Sequence, residues 1–314
     1  MIPVPQYPAG LRKWLVAVYQ QACWTELKAL KPGNVHCFSN GHDMTVEDFV
    51  TSADVSADPL TDPAFGLGER IFRAVAATRE AVGCNTNLGI LMLCAPLIQA
   101  LLDERLDHGT LREKLRCVLR QAGKEDTRWL FRAIELAAPG GLGRSGKYDV
   151  RQAADTPLFE VMAHAAGRDL IACQYVTDYV NLFDFALPRL REFERRWQSR
   201  EWAAAGLFLS LLASFPDSHI QRKYGLDKAN EISRRAAVLS EGLSHADEPE
   251  KYRKHLLRAD IEFKRKGINP GTSADLTVAT LFILDLEPVL SAFDPKTGYS
   301  RIRDSRPNKV GVRI

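Results

Sequence analysis

The chain has no excess of either charge: 42 lysines and arginines against 39 aspartates and glutamates leave a formal net charge of +3. That balance is too even for a protein that binds phosphate backbones non-specifically, which excludes nucleic acid as a principal partner. Cysteine is scarce, six in 314 residues, and none of Cys23, Cys37, Cys84, Cys94, Cys117 and Cys173 forms a CxxC pair. Their mostly apolar surroundings read as reduced, buried thiols of a cytoplasmic protein, with neither disulfides nor a zinc site expected. The opening residues MIPVPQYPAG lack the basic and apolar regions of a secretory signal. The longest apolar run, Leu88 to Leu102, is too short for a membrane span and is interrupted by Pro96 and Gln99, so no membrane partner is expected. Strand signals are missing too, since alternating β-branched residues never persist long enough to build a sheet. No internal repeat, low-complexity tract or Pro/Ser linker divides the chain.

Apolar residues at three- and four-residue spacing fill the sequence instead. They predict helices over 11–30, 68–81, 88–102, 111–121, 126–137, 158–166, 170–197, 201–214, 227–243 and 251–266, with a last one after Gly271. The expected fold is all-α, a single multi-helical globular domain over 1–314 with a substantial core. The charge-dense stretch 247–266 reads as the solvated face of a surface helix.

Three loops are more polar and glycine-rich than a helix connection requires: 31–44 (KPGNVHCFSNGHDM), 139–149 and 268–273. Two tighter junctions, 83–87 (GCNTN) and 215–225 (FPDSHIQRKYG), accompany them. In the loop PGGLGRSGKY, Gly141, Gly146 and Lys147 match a P-loop until Tyr148 replaces its Ser or Thr, and the preceding segment is helical rather than a strand. A Walker site is therefore not expected. Arg144, Lys147 and the glycines can still cradle phosphate, or they form a plain surface turn.

Within NPGTSADL, Thr272 or Ser273 can cap a helix whose first turn contains Asp275; alternatively that turn holds phosphate while Asp275 binds Mg²⁺. Asn85 or Thr86 can cap the helix after GCNTN, and Gly83 suits its turn. Asp217, His219 and Arg222 together exceed what a turn needs, although Asp217 as an N-cap is the plain alternative. In the first loop, His36 and His42 lack the helical spacing of a transition-metal site. Lys31, His42 and Asp43 read as phosphate contact, proton donor or acceptor, and Mg²⁺ ligand, with an ordinary polar loop as the alternative.

In order and spacing, these segments resemble the triphosphoribosyl-dephospho-CoA synthase family, the ATP:3′-dephospho-CoA transferases that make the prosthetic-group precursor of citrate lyase and malonate decarboxylase. The family's KPG loop and HDM resemble Lys31, Pro32, Gly33, His42, Asp43 and Met44, with Ser52 and Ala53 in the helix that follows. Its GxNTxxG junction resembles Gly83, Asn85, Thr86 and Gly89. Its aspartate-led segment resembles Asp217, Ser218, His219, Arg222 and Gly225, and its PGGSADL helix start resembles Pro270, Gly271, Ser273, Ala274, Asp275 and Leu276. The matched segments run from Lys31 to about Leu284.

The resemblance implies an all-helical fold and a transfer in which the 2′-hydroxyl of dephospho-CoA attacks C1′ of ATP and adenine leaves, with Mg²⁺ as cofactor. It implies metal ligands and a base among Glu26, Asp43, Asp217 and Asp275, which are expected to converge on one cleft. Proton transfer falls to His42, phosphate neutralisation to Lys31 and Arg222, and further nucleotide contacts to Gly33, Asn85, Thr86, Gly271 and Ser273. Asn87 and Leu88 stand where the better-known synthases carry a His-Lys pair, and Thr272 replaces a glycine. These departures keep two other readings open. One is a same-fold enzyme in the biosynthesis of another cofactor, such as a methanopterin- or methanofuran-type one-carbon carrier; the other is a non-catalytic nucleotide-binding or scaffolding protein.

Overall fold

The structure, a computed structural model, describes residues 10–103, 109–140, 148–151 and 155–293. Among them fourteen α-helices follow one another without a sheet. They are α1 (Leu11–Lys28), α2 (Val46–Thr61), α3 (Leu67–Val82), α4 (Leu88–Leu102), α5 (Leu111–Gln121), α6 (Lys124–Ala137) and α7 (Leu158–Ala165), then α8 (Leu170–Val176), α9 (Leu187–Trp197), α10 (Arg200–Ser214), α11 (Ser218–Tyr224), α12 (Leu226–Ser244), α13 (Arg253–Arg265) and α14 (Gly271–Phe293). The all-α expectation holds. No helix among the described residues is long and apolar enough to cross a membrane.

Helices that are apolar on every side form the centre, as their composition requires. α14 packs on α1, α4 and α10, and its run from Leu276 to Ile283 is buried, as is Ala203 to Leu212 of α10. Each large aliphatic or aromatic side chain removed from water there contributes about 1.5–3 kcal/mol before entropy is subtracted. Surface helices such as α5 and α9 bury only one stripe: Leu111, Leu115, Val118 and Leu119 in α5, and Leu187, Leu190, Phe193 and Trp197 in α9.

Sequence and structure differ in several places. The single helix expected over 170–197 is broken into α8, two left-handed residues, Asp178 (φ 53°) and Tyr179 (φ 60°), a π-helical turn Asn181–Ala186, and α9. The reason lies in α4, where Pro96 has no N–H to donate to the carbonyl of Met92. The Tyr175 hydroxyl donates to that carbonyl at 2.7 Å and the Tyr179 hydroxyl to the carbonyl of Leu93 at 2.9 Å. Aiming both phenols at α4 interrupts the helix that carries them. The junction 215–225 contains a short helix, α11. A helix absent from the periodicity reading, α2, starts at a capping box in which Thr45 and Asp48 bond each other's backbone N–H. All six cysteines are free thiols, but only Cys23 and Cys94 are buried, whereas Cys37 and Cys117 are exposed. Apolar sequence neighbours misjudge burial where a helix shows only one face to the core. The 247–266 stretch is not wholly solvated either, because Asp260 is buried and Lys264 turns inward beside it.

Arg70 of α3 is fully buried. Its Nε donates to Gln99 Oε1 at 3.0 Å, while its terminal nitrogens donate to the carbonyls of Leu60 and Phe65. It thereby joins α3 to the end of α2 and to α4. Arg70→Met leaves those carbonyls buried without donors and is expected to lower stability by about 2–4 kcal/mol. Urea unfolding checks this as a shift of midpoint at unchanged slope.

Candidate active site

At the end of α1 the chain folds back so that Lys31 lies beneath Glu26. Its Nζ donates to the carbonyls of Glu26 and Val35, both at 2.8 Å, and pairs with Glu26 Oε1 at 3.0 Å. All three ammonium protons are engaged and the side chain is 0% exposed. The expected phosphate contact is therefore corrected: Lys31 is the counter-ion of Glu26. Burial pushes the Glu26 carboxyl up and the Lys31 ammonium down, and each opposes the other's shift.

The rest of the first loop is anchored to α13 and to 268–270. Gly33 has φ +88°, and a Cβ there would lie 2.9 Å from the Ile268 carbonyl and 3.0 Å from the Pro270 ring. Only glycine seats the loop so closely. Gly33 N donates to Asp260 Oδ1 at 2.9 Å and Asn34 Nδ2 to Asn269 Oδ1 at 2.8 Å. His36 Nε2 lies 3.4 Å from Asp260 Oδ2, near enough for electrostatic contact but not aligned as a hydrogen bond. His42 Nε2 sits 2.7 Å from the Gly33 carbonyl and must donate to it, since a carbonyl only accepts. His42 and Asp43 are both left-handed (φ 58° and 60°), and the Asp43 side chain is exposed.

A buried carboxylate joins two helix starts. Asp217 Oδ1 accepts from His219 N (2.9 Å) and Ile220 N (3.1 Å), capping α11; its Oδ2 accepts from Ser273 N and Ser273 Oγ, both at 2.8 Å. A carboxylate offers about four lone-pair positions, and all are filled. This corrects three expectations. Asp217 has no acceptor position left for metal or proton. Ser273 has no free donor for phosphate. The cap of α14 comes from Asp217 across the fold rather than from Thr272 or Ser273, and Thr272 Oγ1 accepts instead from His219 N at 3.2 Å.

At the start of α4, Asn85 Oδ1 accepts from Leu88 N at 3.2 Å. Thr86 Oγ1 donates to Ser52 Oγ at 2.6 Å. A Cβ on Gly89 would fall 2.1 Å from Asp275 Oδ2, so glycine is what lets that carboxylate lie against α4. Asn87 turns inward, its Nδ2 3.3 Å from Ser56 Oγ and 3.5 Å from the Ser52 carbonyl, while Leu88, also buried, carries an apolar side chain. Neither delivers charge.

These elements enclose a cavity of about 390 Å³, within the range of small-molecule sites. It brings together Glu26, Asn85, Thr86, Arg222, Gly271 and Asp275. Lys31, Gly33, His42, Asp43, Asp217 and Ser273 do not line it. Of the four carboxylates expected to converge, only Glu26 and Asp275 face the space. His219, singled out in the 215–225 junction without a role, also lines it, as do four residues that the sequence patterns left without a role, Asp149, His164, Arg168 and Asp169. Asp169 caps α8 through Ile171 N (2.9 Å) and Ala172 N (3.1 Å), and its Oδ2 pairs with Arg222 at 2.8 Å. Its capping signal is local and visible, but the meeting with Arg222 is purely tertiary. Arg144 and Lys147 lie outside the described residues.

Charge in the cavity is uneven. Burial, then the nearby Asp217, Glu26 and Asp169, hold the Asp275 carboxyl well above the usual carboxylate range. Burial, then Arg222, Lys223 and His42, lower His219 to about 4, so its imidazole is neutral at pH 7. Among the described residues, no three His, Cys, Asp or Glu side chains group closely enough to hold a metal by themselves.

The family model for ATP:dephospho-CoA triphosphoribosyl transferase (CitG) matches residues 12–292. A solved structure from Archaeoglobus fulgidus, described as a provisionally assigned triphosphoribosyl-dephospho-CoA synthase, superposes with a TM-score of 0.57 at 24% identity, covering 79% of this chain and 98% of that one. A likeness at that identity speaks to the fold. No curated protein matches.

Two outcomes follow from the geometry. Asp217→Asn strands donors of both α11 and α14 and is expected to lower stability by about 2–4 kcal/mol, whereas Asp43→Asn changes it by less than ~0.5 kcal/mol; thermal melts compare them. Unfolded His219 takes its proton near 6.5 and the folded form only near 4. Between those values the unfolded state holds more protons, so its contribution to stability is present above about pH 6.5 and is lost as pH falls toward 4. Melts across that range check the slope, which His219→Gln flattens.

Proposed function

The chain belongs to the ATP:dephospho-CoA triphosphoribosyl transferase family and is a transferase of that type; from this premise we propose that it joins the triphosphoribosyl group of ATP to the 2′-hydroxyl of 3′-dephospho-CoA, releasing adenine, with Mg²⁺ as cofactor and in the cytoplasm. The observation that carries the reading is one cavity lined by two carboxylates, Glu26 and Asp275, and two guanidinium groups, Arg168 and Arg222. Breaking an N-glycosidic bond builds positive charge at C1′. Glu26, ion-paired with Lys31, turns its carboxyl group toward that charge, and the arginines take triphosphate oxygens.

Glu26 and Asp275 fit Mg²⁺. They are hard oxygen donors whose mutual repulsion a divalent cation relieves, and Mg²⁺ is commonly held by one or two carboxylates together with substrate phosphates. When bound, the ion would neutralise triphosphate charge. His219 is the proton carrier in place of His42, which is committed to the Gly33 carbonyl. Its imidazole lines the cavity and its backbone is fixed by Asp217 and Thr272. Burial depresses its basicity most and Arg222 next, and Arg222 is the one of its neighbouring cations that lines the cavity and would be neutralised by a triphosphate. Substrate binding therefore raises its proton affinity toward the range in which imidazole accepts a hydroxyl proton.

A second reading rests on Asn87 and Leu88. With no charge from either reaching the cavity, the same scaffold suits a different phosphorylated acceptor, as in the biosynthesis of a one-carbon carrier cofactor. Incubating the protein with ATP, Mg²⁺ and dephospho-CoA and separating free adenine by chromatography decides between them. Adenine release that needs both dephospho-CoA and the metal is expected; its absence beside an active synthase supports the second reading. Glu26→Gln is expected to lower kcat by roughly 10²–10³-fold, and His219→Gln by roughly 10²–10⁴-fold with a smaller change in KM.

A further inference from the structure

The cavity has two unlike ends, and the reaction proposed above uses only one of them. The acidic end is built by α1, α11 and the start of α14. The opposite end is built by α6 and α7, which pack on each other, and its described wall is mainly Met92, Leu130, Phe131, Ile134, Val161 and Met162, with Tyr148, Asp149 and His164 beside them. Phe131 and Val161 form a small hydrophobic cluster of their own, with Tyr148 and Val150 packed against it. Three of the chain's four methionines, Met44, Met92 and Met162, line this one cavity. Thioethers beside a phenyl ring make a soft, polarisable surface that favours flat aromatic ligands.

α4 connects the ends. Gly89 lies against the Asp275 carboxylate, and Met92 is nearly one helical turn further, about 5 Å along the axis. A group held at Met92 is thus next to whatever reacts at Asp275. Leu88, on the same stretch, adds apolar rather than charged surface.

We propose that the apolar end is a purine-base subsite, holding an adenine ring between α4, α6 and α7 while the reacting ribose lies at Glu26 and Asp275. The proposal takes its substrates from the family reaction. Both carry adenine beside the reacting atoms: in ATP the base is bonded to C1′ itself, and in dephospho-CoA it sits one carbon from the attacking 2′-hydroxyl. The aliphatic and aromatic side chains of this wall carry no charge, and Asp149 beside them is an acid, so triphosphate or diphosphate groups lie toward Arg168 and Arg222.

Photoaffinity labelling of the full-length protein tests this, using 8-azido-adenosine triphosphate in one arm and the 8-azido analogue of dephospho-CoA in the other, with labelled peptides mapped by mass spectrometry. Label from the nucleotide probe in α4, α6 or α7, blocked by excess ATP, assigns the subsite to the leaving base. Label there from the other probe instead assigns it to the acceptor's base. Label from neither probe in these helices overturns the proposal. Phe131→Ala, with Met162→Ala as a second variant, is expected to raise KM for the labelling substrate roughly tenfold and leave KM for the other unchanged; unchanged KM for both also overturns it. The adenine-release assay fails or succeeds independently: release with label elsewhere removes the subsite and keeps the reaction, whereas label without release keeps a purine site and removes the reaction.

Discussion

The site depends on one buried carboxylate. Asp217 is 0% exposed, and burial opposes its ionisation, yet four donors from two helix starts converge on its oxygens. A buried charge survives only when so fully bonded. Because α14 is a central helix of the core, the bonds from Ser273 fix α11 relative to that core. Arg222 and His219 ride on α11, and Gly271 and Asp275 on the first turn of α14. The angle between the cationic and acidic walls of the cavity is set by this one residue, which touches nothing inside it.

The same division of labour runs through the first loop. Lys31 fills all its donor capacity below Glu26; Gly33 lets the loop meet 268–270; His42 closes the loop onto Gly33; Asp260 and Lys264 hold it from α13. Much of what looks like catalytic equipment is therefore framework. The acidic, basic and histidine residues that do face the cavity, Glu26, Asp149, His164, Arg168, Asp169, His219, Arg222 and Asp275, come from several separate elements. Two left-handed residues in succession, His42 and Asp43, are strain that this framework sustains.

α4 shows how a single helix serves both core and site. Its hydrophobicity makes it central, Gly89 admits Asp275 against its backbone, and Pro96 leaves a carbonyl that Tyr175 satisfies. That repair brings α8 and its cap Asp169 onto the cavity wall. At the same helix start Asn87 turns to Ser52 and Ser56, and Leu88 gives the cavity an apolar side chain.

The amino-acid sequence by itself determined the helical class, most helix positions apart from α2, α11 and the break in 170–197, and the segments that mark the family, because apolar periodicity and capping residues are local properties. It also offered Asn85 or Thr86 for the turn before α4, of which Asn85 accepts from Leu88 N, and set Glu26 and Asp275 among four candidate carboxylates. What only the tertiary structure decided was direction. Lys31 and His42 turn to partners near in sequence, Glu26, Val35 and Gly33, but whether Asp217 holds a metal or two helix ends and how the first loop seats on α13 depend on partners fifty-six residues apart for Asp217 and Ser273, and more than two hundred for Gly33 and Asp260. No local spacing encodes such pairs. They exist because burying a polar group without its bonds is too unfavourable, and the fold alone determines which groups are available to bond.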